Sequence, residues 1–225
     1  MASRKVESRG PGPAADDLFA IAKDATLDEV RDLARGCTRC PLYLKATQTV
    51  FGEGDPRARI MFVGEQPGDR EDLEGRPFVG PAGQLLDRAL ADAGIARDEV
   101  YLTNAVKHFK FEPRGKRRLH KRPNRHEIDV CRFWLEHELA IVDPAVVVAL
   151  GATAVQSLLR RTVTIGEIRG RQIHFGEWTG LVTVHPSYLL RIPDREAAAK
   201  EYRRFVVDLR KAADLAHATS HRRAG

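Results

Sequence analysis

Short apolar runs alternate with helical patterns along most of this chain, and this alternation constrains the fold more than any other feature. The runs at 59–63, 99–104, 145–150 and 181–184 predict buried strands. Helical patterns at about 83–93, 124–142, 152–159 and 195–215 lie between or after them. Strands that alternate with helices predict βαβ units, and therefore a mainly parallel sheet covered by helices on both faces.

Weaker signals predict the remaining organisation. Thr26 and Glu29 resemble a capping box inside a helical region at 17–35. The segment 47–51 predicts an edge strand, the segment 53–56 predicts a turn, and the segment 172–175 predicts a short strand. The first 16 residues are rich in Pro, Gly and charge, which predicts disorder. We expect one domain at 17–213 and a flexible tail at 214–225.

Polar residues follow three of the four main strands. They are Glu65, Gln66 and Asp69 after the first strand, Asn104 after the second and His185 after the fourth. Open α/β sheets bind ligands at the carboxyl ends of their strands, so these residues predict a site at one sheet edge. Gly64 and Gly68 let the backbone approach a ligand closely. The alternative is a surface loop in which Asp69 caps a helix.

Positive charge is concentrated in one segment. The chain has a net charge of +6, and nine Lys or Arg residues with a single acid, Glu112, lie between Lys107 and Arg125. Such a run is often only a solvated face. Because Pro113, Gly115 and Pro123 interrupt it, it is a poor helix and a good candidate for a phosphate-binding loop.

Three cysteines, Cys37, Cys40 and Cys131, argue against a disulfide framework because their number is odd. The Cys-x-x-Cys spacing fits a redox pair, and with His108 the set fits a tetrahedral zinc site, which the spacing alone favours. The chain has no apolar run long enough to span a membrane and no signal-peptide pattern at its N-terminus. We therefore expect a cytoplasmic protein without membrane contact.

Three motifs, taken together and in this order, resemble the uracil-DNA glycosylase superfamily. They are the segments 65–69 (Glu-Gln-Pro-Gly-Asp), 75–83 (Gly-Arg-Pro-Phe-Val-Gly-Pro-Ala-Gly) and 185–187 (His-Pro-Ser). The cysteines are similar to those of its iron–sulfur branch, and Lys116-Arg117-Arg118-Leu119-His120 is similar to the UdgX type, which excises uracil and becomes covalently joined to DNA through a histidine of that segment. The resemblance covers residues 30–212 and implies a three-layer α/β/α sandwich around a four-stranded parallel sheet.

The resemblance also implies a [4Fe–4S] cluster. Ordinary iron–sulfur relatives have a fourth cysteine directly after the lysine of an Asn-x-x-Lys-Cys pattern, and His108 occupies that position here. Imidazole can replace a thiolate on iron. The implied ligands are therefore Cys37, Cys40, His108 and Cys131, in a structural rather than an electron-transfer role.

The family's pocket maps onto the polar sheet edge. By resemblance, Asn104 pairs with the edge of uracil, Phe78 stacks on its ring, and backbone groups around Gly64 and Gly68 contact O2. Phe78 could instead be a core aromatic. His185 stabilises the departing uracilate. The resemblance implies roles for three more residues. Glu65 stabilises the positive sugar or orients the nucleophile, Gln66 supports the pocket, and Asp69 could position a water.

The basic segment supplies the implied nucleophile, His120, because a neutral imidazole can attack C1′ of the sugar. Arg118 fixes the segment or a phosphate. The expected DNA contacts are Lys116, Arg117, Lys121, Arg122, Ser187, Arg191 and Leu189, the last as a wedge in the base stack. We expect a monomer that acts on uracil-containing DNA, single-stranded or duplex, near the nucleoid, and releases uracil. A turnover glycosylase and a non-enzymatic iron–sulfur DNA-binding protein remain alternatives.

Overall fold

The structure, a computed structural model, describes residues 21–223, and side chains as far as residue 219. The segment 1–16, for which disorder is predicted, lies outside the described residues, as do the first residues of the helical region expected at 17–35. Within the described part, that region forms one helix, α1 at Leu27–Arg35, with the predicted capping box of Thr26 and Glu29 at its start.

Six strands of the described chain form one sheet in the order β1-β3-β2-β6-β8-β7. Their bounds are β1 Glu53–Gly54, β2 Ile60–Gly64, β3 Val100–Asn104, β6 Val146–Leu150, β7 Gln172–Phe175 and β8 Trp178–Thr183. The four central strands, β3, β2, β6 and β8, run parallel, and β1 and β7 pair antiparallel at the edges. A separate antiparallel hairpin consists of β4 at Phe111–Arg114 and β5 at Arg117–His120.

Of the remaining helices in the described chain, five lie between the strands in sequence, and the last two follow β8. They are α2 Asp69–Glu74, α3 Pro81–Ala93, α4 Arg125–Val142, α5 Ala152–Leu159, α6 Ile165–Ile168, α7 Pro186–Leu189 and α8 Arg195–Arg223, with short 3₁₀ turns at Pro41–Leu44 and Arg97–Glu99. None of the described helices is long and apolar enough to cross a membrane.

Alternate residues of the central strands face two separate cores. On β2, Met61 and Val63 pack with α1, α4 and α5, whereas Ile60 and Phe62 pack with α3 and α8. This division follows from the two-residue period of a strand. Because both faces are covered, β2, β3 and β6 are buried along their whole length, and the predicted three-layer α/β/α sandwich with four central parallel strands is confirmed.

Four local predictions need correction. Residues 47–51 form no strand, and the edge strand is instead β1, at the predicted turn. The expected basic loop is the β4–β5 hairpin. The loop expected after β2 contains α2. The last helix continues to Arg223, with Ala216 buried against the core, so the described part of the expected tail, residues 214–223, is helical rather than loose.

Candidate active site

A cavity of about 1060 Å³ opens at the carboxyl edge of the sheet. Its lining brings together the predicted site residues Glu65, Gln66, Gly68, Asp69, Phe78, Asn104, His120, Arg122, His185, Ser187 and Arg191. These residues come from the ends of β2, β3 and β8, from the hairpin and from α7. The predicted meeting of polar side chains at one sheet edge is therefore what the structure shows.

The floor of the cavity is made by two strand ends in register. Gly64 of β2 lies opposite Asn104 of β3. A Cβ atom on Gly64 would lie 2.4 Å from Asn104 Oδ1 and 2.6 Å from Phe78 Cζ. Gly64 is therefore needed for both side chains to lie against the backbone. Phe78 has φ of 56° and is 4% exposed, so it is a core aromatic that also lines the cavity.

Glu65 is held between two groups. The Thr153 hydroxyl donates a 2.6 Å hydrogen bond to Glu65 Oε2, and His120 Nε2 lies 3.3 Å from Oε1. Thr153 is in the first turn of α5 and is 1% exposed. Sequence analysis did not single out Thr153, because a helix-start Thr after a strand is common.

Gln66 fastens the hairpin to the sheet edge. Its Nε2 donates to the carbonyl oxygens of Lys110 and Lys121, each at 3.1 Å, and the Lys110 N–H donates to its Oε1 at 3.2 Å. Lys110 and Lys121 flank the two strands of the hairpin, and Lys121 N–H donates to the Lys110 carbonyl. The amide of Gln66 therefore fixes the base of the hairpin that carries His120.

Arg118 fixes the hairpin's other side. Its guanidinium donates to Asp69 Oδ1 and Asp72 Oδ2, both at 2.5 Å, and its Cζ lies 5.4 and 5.2 Å from the ring centres of Phe109 and Phe111. These acidic partners raise the pKa of Arg118, although burial opposes them. Asp69 is thus engaged by Arg118, and Asp72, which is fully buried, was not predicted.

The imidazole of His120 faces the cavity and is half exposed. Burial lowers its pKa below the usual 6.5, the Glu65 carboxylate opposes this shift, and Arg191 adds to it. The ring therefore carries no charge at neutral pH. Its centre lies 6.1 Å from that of Phe109.

His185 lies at the start of α7. Its Nδ1 accepts a 3.1 Å hydrogen bond from Ser187 N–H, which leaves Nε2 as the protonated nitrogen of the neutral ring. Burial lowers the pKa of His185 to about 4, and the positive charge of Arg191, together with that of His120 when its ring is protonated, acts in the same direction. The ring stacks at 6.2 Å on Phe78. His185 is therefore a neutral hydrogen-bond donor.

A carboxylate missed in the sequence holds the loop around α2. Glu71 accepts hydrogen bonds from Gly68 N–H at 3.1 Å and from Gly80 N–H at 2.8 Å. It is 8% exposed. The two Gly-containing loops that the family motifs span are therefore tied together through one side chain.

The predicted DNA-contacting residues divide into three groups. Lys116 and Arg117 are exposed on the hairpin, and Lys121 pairs with Glu112 at 2.9 Å. Arg122, Ser187 and Arg191 line the cavity. Leu189 is a correction: it is 5% exposed and packs into the core, because α7 turns it inward, while Tyr188 and Leu190 are exposed at the cavity.

The predicted metal ligands are all buried on the α1–α4 side of the sheet. Cys37 Sγ accepts from Trp134 Nε1, and Cys131 Sγ from Lys107 N–H, both at 3.1 Å. Burial raises the pKa of Cys131 to about 12, and nearby Cys37 and Cys40 raise it further by like-charge repulsion. Among the described residues, no group of three or more His, Cys, Asp or Glu is close enough to hold a metal ion.

His108 is buried and directly follows Lys107, whose N–H donates to Cys131 Sγ. Its Nε2 is 2.9 Å from Thr49 Oγ1, whereas its buried Nδ1 has no hydrogen-bond partner in the part of the chain that the structure describes. Burial lowers the pKa of His108 to about 4. A buried neutral imidazole with one free nitrogen is a suitable metal ligand.

An ion pair that was not predicted lies beneath Asn104. The ammonium of Lys107 contacts the carboxylate of Glu138, and both side chains are fully buried. Lys107 Nζ also donates to the Asn104 carbonyl at 2.8 Å and to Thr103 Oγ1 at 2.6 Å. Glu138 in turn accepts from Gly52 N–H at 2.8 Å. This network fixes the end of β3, since an unpaired charge at this depth would be costly.

A parallel-sheet edge that gathers a neutral imidazole, a carboxylate and an amide beside a cationic hairpin is typical of an α/β enzyme that binds an anionic substrate at the carboxyl ends of its strands. Comparison with known proteins identifies the family. The family model for the uracil DNA glycosylase superfamily matches residues 51–210. The chain belongs to this superfamily, and the prediction of an enzyme of the DNA N-glycosylase class is confirmed at the level of the family.

Individual relatives point to one branch. The chain is 40% identical over 196 residues to the type-4 uracil-DNA glycosylase of Thermotoga maritima, covering 84% of this chain and 94% of that protein. It is 36% identical over 176 residues to the type-4 enzyme of Pyrobaculum aerophilum, covering 74% and 86%. A type-5 uracil-DNA glycosylase of Thermus thermophilus is 36% identical over 125 residues, covering 49% and 53%.

Proposed function

We propose that this protein excises uracil from DNA and that His120 then captures the abasic sugar covalently. The observation that carries the proposal is the contact of His120 with Glu65 at the mouth of the cavity, 3.3 Å from Nε2 to Oε1. A base inside a duplex is unreachable, so the nucleotide must be flipped out or bound in a single strand.

The floor of the cavity supports binding of uracil. Asn104 can offer its amide to the base edge, and Phe78 can stack on the ring. The stacking of Phe78 on His185 places an imidazole donor beside the same space. When the C1′–N1 bond breaks, its electrons go to uracil, and His185 Nε2–H can stabilise the charge on O2.

The sugar becomes positively charged as uracil leaves. Glu65 stabilises this charge, because Thr153 holds its carboxylate in place. With its proton on Nε2, the neutral His120 ring has its free lone pair on Nδ1. This lone pair bonds to C1′ of the positive sugar, and the Nε2 proton passes to Glu65. The product is an N-glycosyl imidazole, which resists hydrolysis because imidazole is a poor leaving group.

The hairpin supports this step by fixing the nucleophile. Gln66 holds its base, and Arg118 holds its side through Asp69 and the buried Asp72. The exposed Lys116 and Arg117 can bind phosphates, each adding about 0.9 to the salt slope on duplex DNA or about 0.7 on a single strand. In this arrangement Asp69 positions Arg118 rather than a water molecule.

We also propose that Cys37, Cys40, His108 and Cys131 hold a [4Fe–4S] cluster. Three buried thiols and a buried imidazole with a free Nδ1 fit the donor set of such a cluster, although zinc accepts the same donors. Burial raises the pKa of Cys131 to about 12, so its side chain is a neutral thiol unless a bound metal favours the thiolate. When bound, the cluster would cross-link the segment after α1, which carries Cys37 and Cys40, to α4, which carries Cys131.

The experiment for the reaction uses intact-mass spectrometry after incubation with a uracil-containing single strand. The wild type should form a species that survives SDS and heat, with the mass of protein plus DNA minus uracil. The H120A variant should form none, whereas the control H126A, altered at an exposed histidine of α4, should react normally. An adduct that persists in H120A contradicts the assignment of the nucleophile.

A turnover glycosylase is the second candidate, favoured by the similarity to enzymes named type-4 uracil-DNA glycosylases. In that case water attacks the sugar, released uracil exceeds the enzyme in molar amount, and no stable adduct forms. Absence of any uracil release would instead favour a non-enzymatic DNA-binding protein.

The cofactor is tested on the purified protein by metal and sulfide analysis with visible absorption. Equal amounts of iron and labile sulfide, with a thiolate-to-iron absorption band, support the cluster, and zinc alone contradicts it. The H108A variant should lose or alter the band, whereas the H126A variant should keep it.

A further inference from the structure

One face of α8 carries a row of exposed cations outside the predicted DNA surface. Lys200, Arg203, Arg204 and Lys211 are spaced at intervals that place them on the same side of the helix. Together with Arg169 they line a groove of about 380 Å³. Since a helix rises about 1.5 Å per residue, the row from Lys200 to Lys211 is about 16 Å long.

The acids in this groove are already engaged. Glu201 accepts from Arg169 and Arg204, each at 2.6 Å, and Asp208 accepts from Arg169 at 2.9 Å. Within residues 21–219, neither Lys200 nor Arg203 forms an ion pair. The groove is therefore positive overall, with cations available for an external anion.

The groove adjoins the active-site cavity, because Arg169 and Arg204 line both. The Arg169 side chain is 9% exposed, and its buried Nη2 has no hydrogen-bond partner in the described part of the chain. One donor of a residue that lines both spaces is therefore unused.

We propose that the α8 groove, formed by Arg169, Lys200, Arg203, Arg204 and Lys211, binds the phosphates of the DNA strand that continues beyond the flipped deoxyuridine. This inference rests on the proposed function, since it takes the DNA seated in the cavity as its starting point. A row of about 16 Å is long enough to contact several consecutive phosphates, because one DNA strand carries a charge for about every 3.4 Å of helix axis. The hairpin and α8 would then contact the DNA on two sides of the cavity.

The test compares two triple variants that lower the net charge equally. K200Q/R203Q/K211Q alters exposed residues of the groove, and the control K23Q/R57Q/R161Q alters exposed cations away from it. Affinity is measured by fluorescence anisotropy, at several salt concentrations, on a uracil-free single strand of about twenty nucleotides. Single-turnover excision is measured on a trinucleotide with a central deoxyuridine.

The groove variant should bind the long strand about tenfold more weakly, with a salt slope lower by about 2, whereas the control should match the wild type. Excision from the trinucleotide should stay within about twofold of the wild type, because it is too short to reach α8. Equal affinity of the two variants, or a loss confined to RNA of the same length, overturns the inference. If the wild type releases no uracil, the proposed function fails, but the binding comparison still decides the role of the groove.

Discussion

His120 Nε2 and Glu65 Oε1 lie 3.3 Å apart, although the two residues belong to different elements, the β4–β5 hairpin and the loop after β2. The other oxygen of the same carboxylate accepts a 2.6 Å hydrogen bond from Thr153. One carboxylate is therefore fixed between a buried hydroxyl and the imidazole that we propose as the nucleophile.

Thr153→Ala should slow adduct formation by about tenfold or more, because a hydrogen bond to a charged group contributes about 1.5–3 kcal/mol. Thr153 acts through Glu65 and touches no reacting atom in this arrangement, so it is a positioning residue. Thr153→Ser should restore most of the rate, since it keeps the hydroxyl. Single-turnover kinetics on uracil-DNA measure both. A T153S variant as slow as T153A would mean that packing of the methyl group, rather than the hydrogen bond, matters.

Adduct formation should persist to pH values below 6.5. Only neutral His120 can attack, and its protonated fraction grows as the pH falls through its pKa, which burial lowers. Arg191→Gln removes a positive charge that lowers this pKa, so the acid limb of the rate should move to higher pH. The measurement is the single-turnover rate against pH with protein in excess over DNA.

The matched control for that profile is R117Q, which removes an exposed hairpin cation that has no part in the pKa shift of His120. Its acid limb should coincide with that of the wild type. A limb that moves to lower pH in R191Q would contradict the assignment of the limb to His120.

Arg118→Ala should destabilise the fold by about 3 kcal/mol, because it leaves the fully buried Asp72 carboxylate without its cation. The hydrogen bonds from Thr47 to Asp72 remain and reduce the loss. Arg117→Ala, at the exposed neighbouring position, should change stability by less than about 0.5 kcal/mol. Chemical denaturation measures both variants.

A double variant separates charge from packing. If the cost of R118A comes from the unpaired carboxylate, adding Asp72→Asn should recover part of the stability. If D72N adds a further full loss instead, the stacking of Arg118 on Phe109 and Phe111 accounts for the effect.

Gly64→Ala should reduce uracil excision by about 100-fold or more, since its methyl group would lie 2.4 Å from Asn104 Oδ1 and 2.6 Å from Phe78 Cζ. Both side chains would have to leave their places at the cavity floor. Gly166→Ala is the control for adding a methyl group to the same cavity without displacing a side chain, because Gly166 also lines the cavity and a Cβ there meets no described atom within 4 Å. Equal activity of G64A and the wild type would show that the floor is not the uracil site.

The main strands could be predicted from the sequence because each is an apolar run, and β2, β3 and β6 begin and end within about a residue of expectation. The hairpin could not, since its strands are mostly exposed and lack an apolar alternation. Gln66 and Asp69 could be assigned to the site from the sequence, but the groups to which they hydrogen-bond could not be predicted. Contacts such as Arg118 with Asp72 depend on how distant elements pack, which local patterns do not encode.

Leu189 and Lys107 are two residues whose burial could not be predicted from local sequence patterns. Leu189 follows the His-Pro-Ser segment, where the resemblance implies a wedge, yet one turn of α7 directs it into the core. Lys107 looks like one more cation of a basic segment, yet it is fully buried against Glu138 and supports Asn104. Burial in each case is decided by the tertiary fold.

Gln66→Glu should uncouple adduct formation from uracil release. The Gln66 amide donates to the carbonyl oxygens of Lys110 and Lys121, and a carboxylate would repel both. The hairpin base should loosen, so that His120 meets the sugar less often and water reacts instead. We expect the fraction of excised uracil that ends as adduct to fall by about tenfold, while uracil release falls less, because one or two lost hydrogen bonds cost about 1–3 kcal/mol.

The measurement counts free uracil and SDS-resistant adduct in the same reaction, with Gln84→Glu, at an exposed site of α3, as the control. Hydrogen exchange of the Lys121 amide, which donates to the Lys110 carbonyl at 2.9 Å, reports the hairpin base directly and should become faster in Q66E. If adduct and uracil release fall in the same proportion while that amide stays protected, Gln66 acts on the base in the pocket and not on the hairpin. A faster exchange with an unchanged product ratio would instead mean that His120 reaches C1′ without a fixed hairpin.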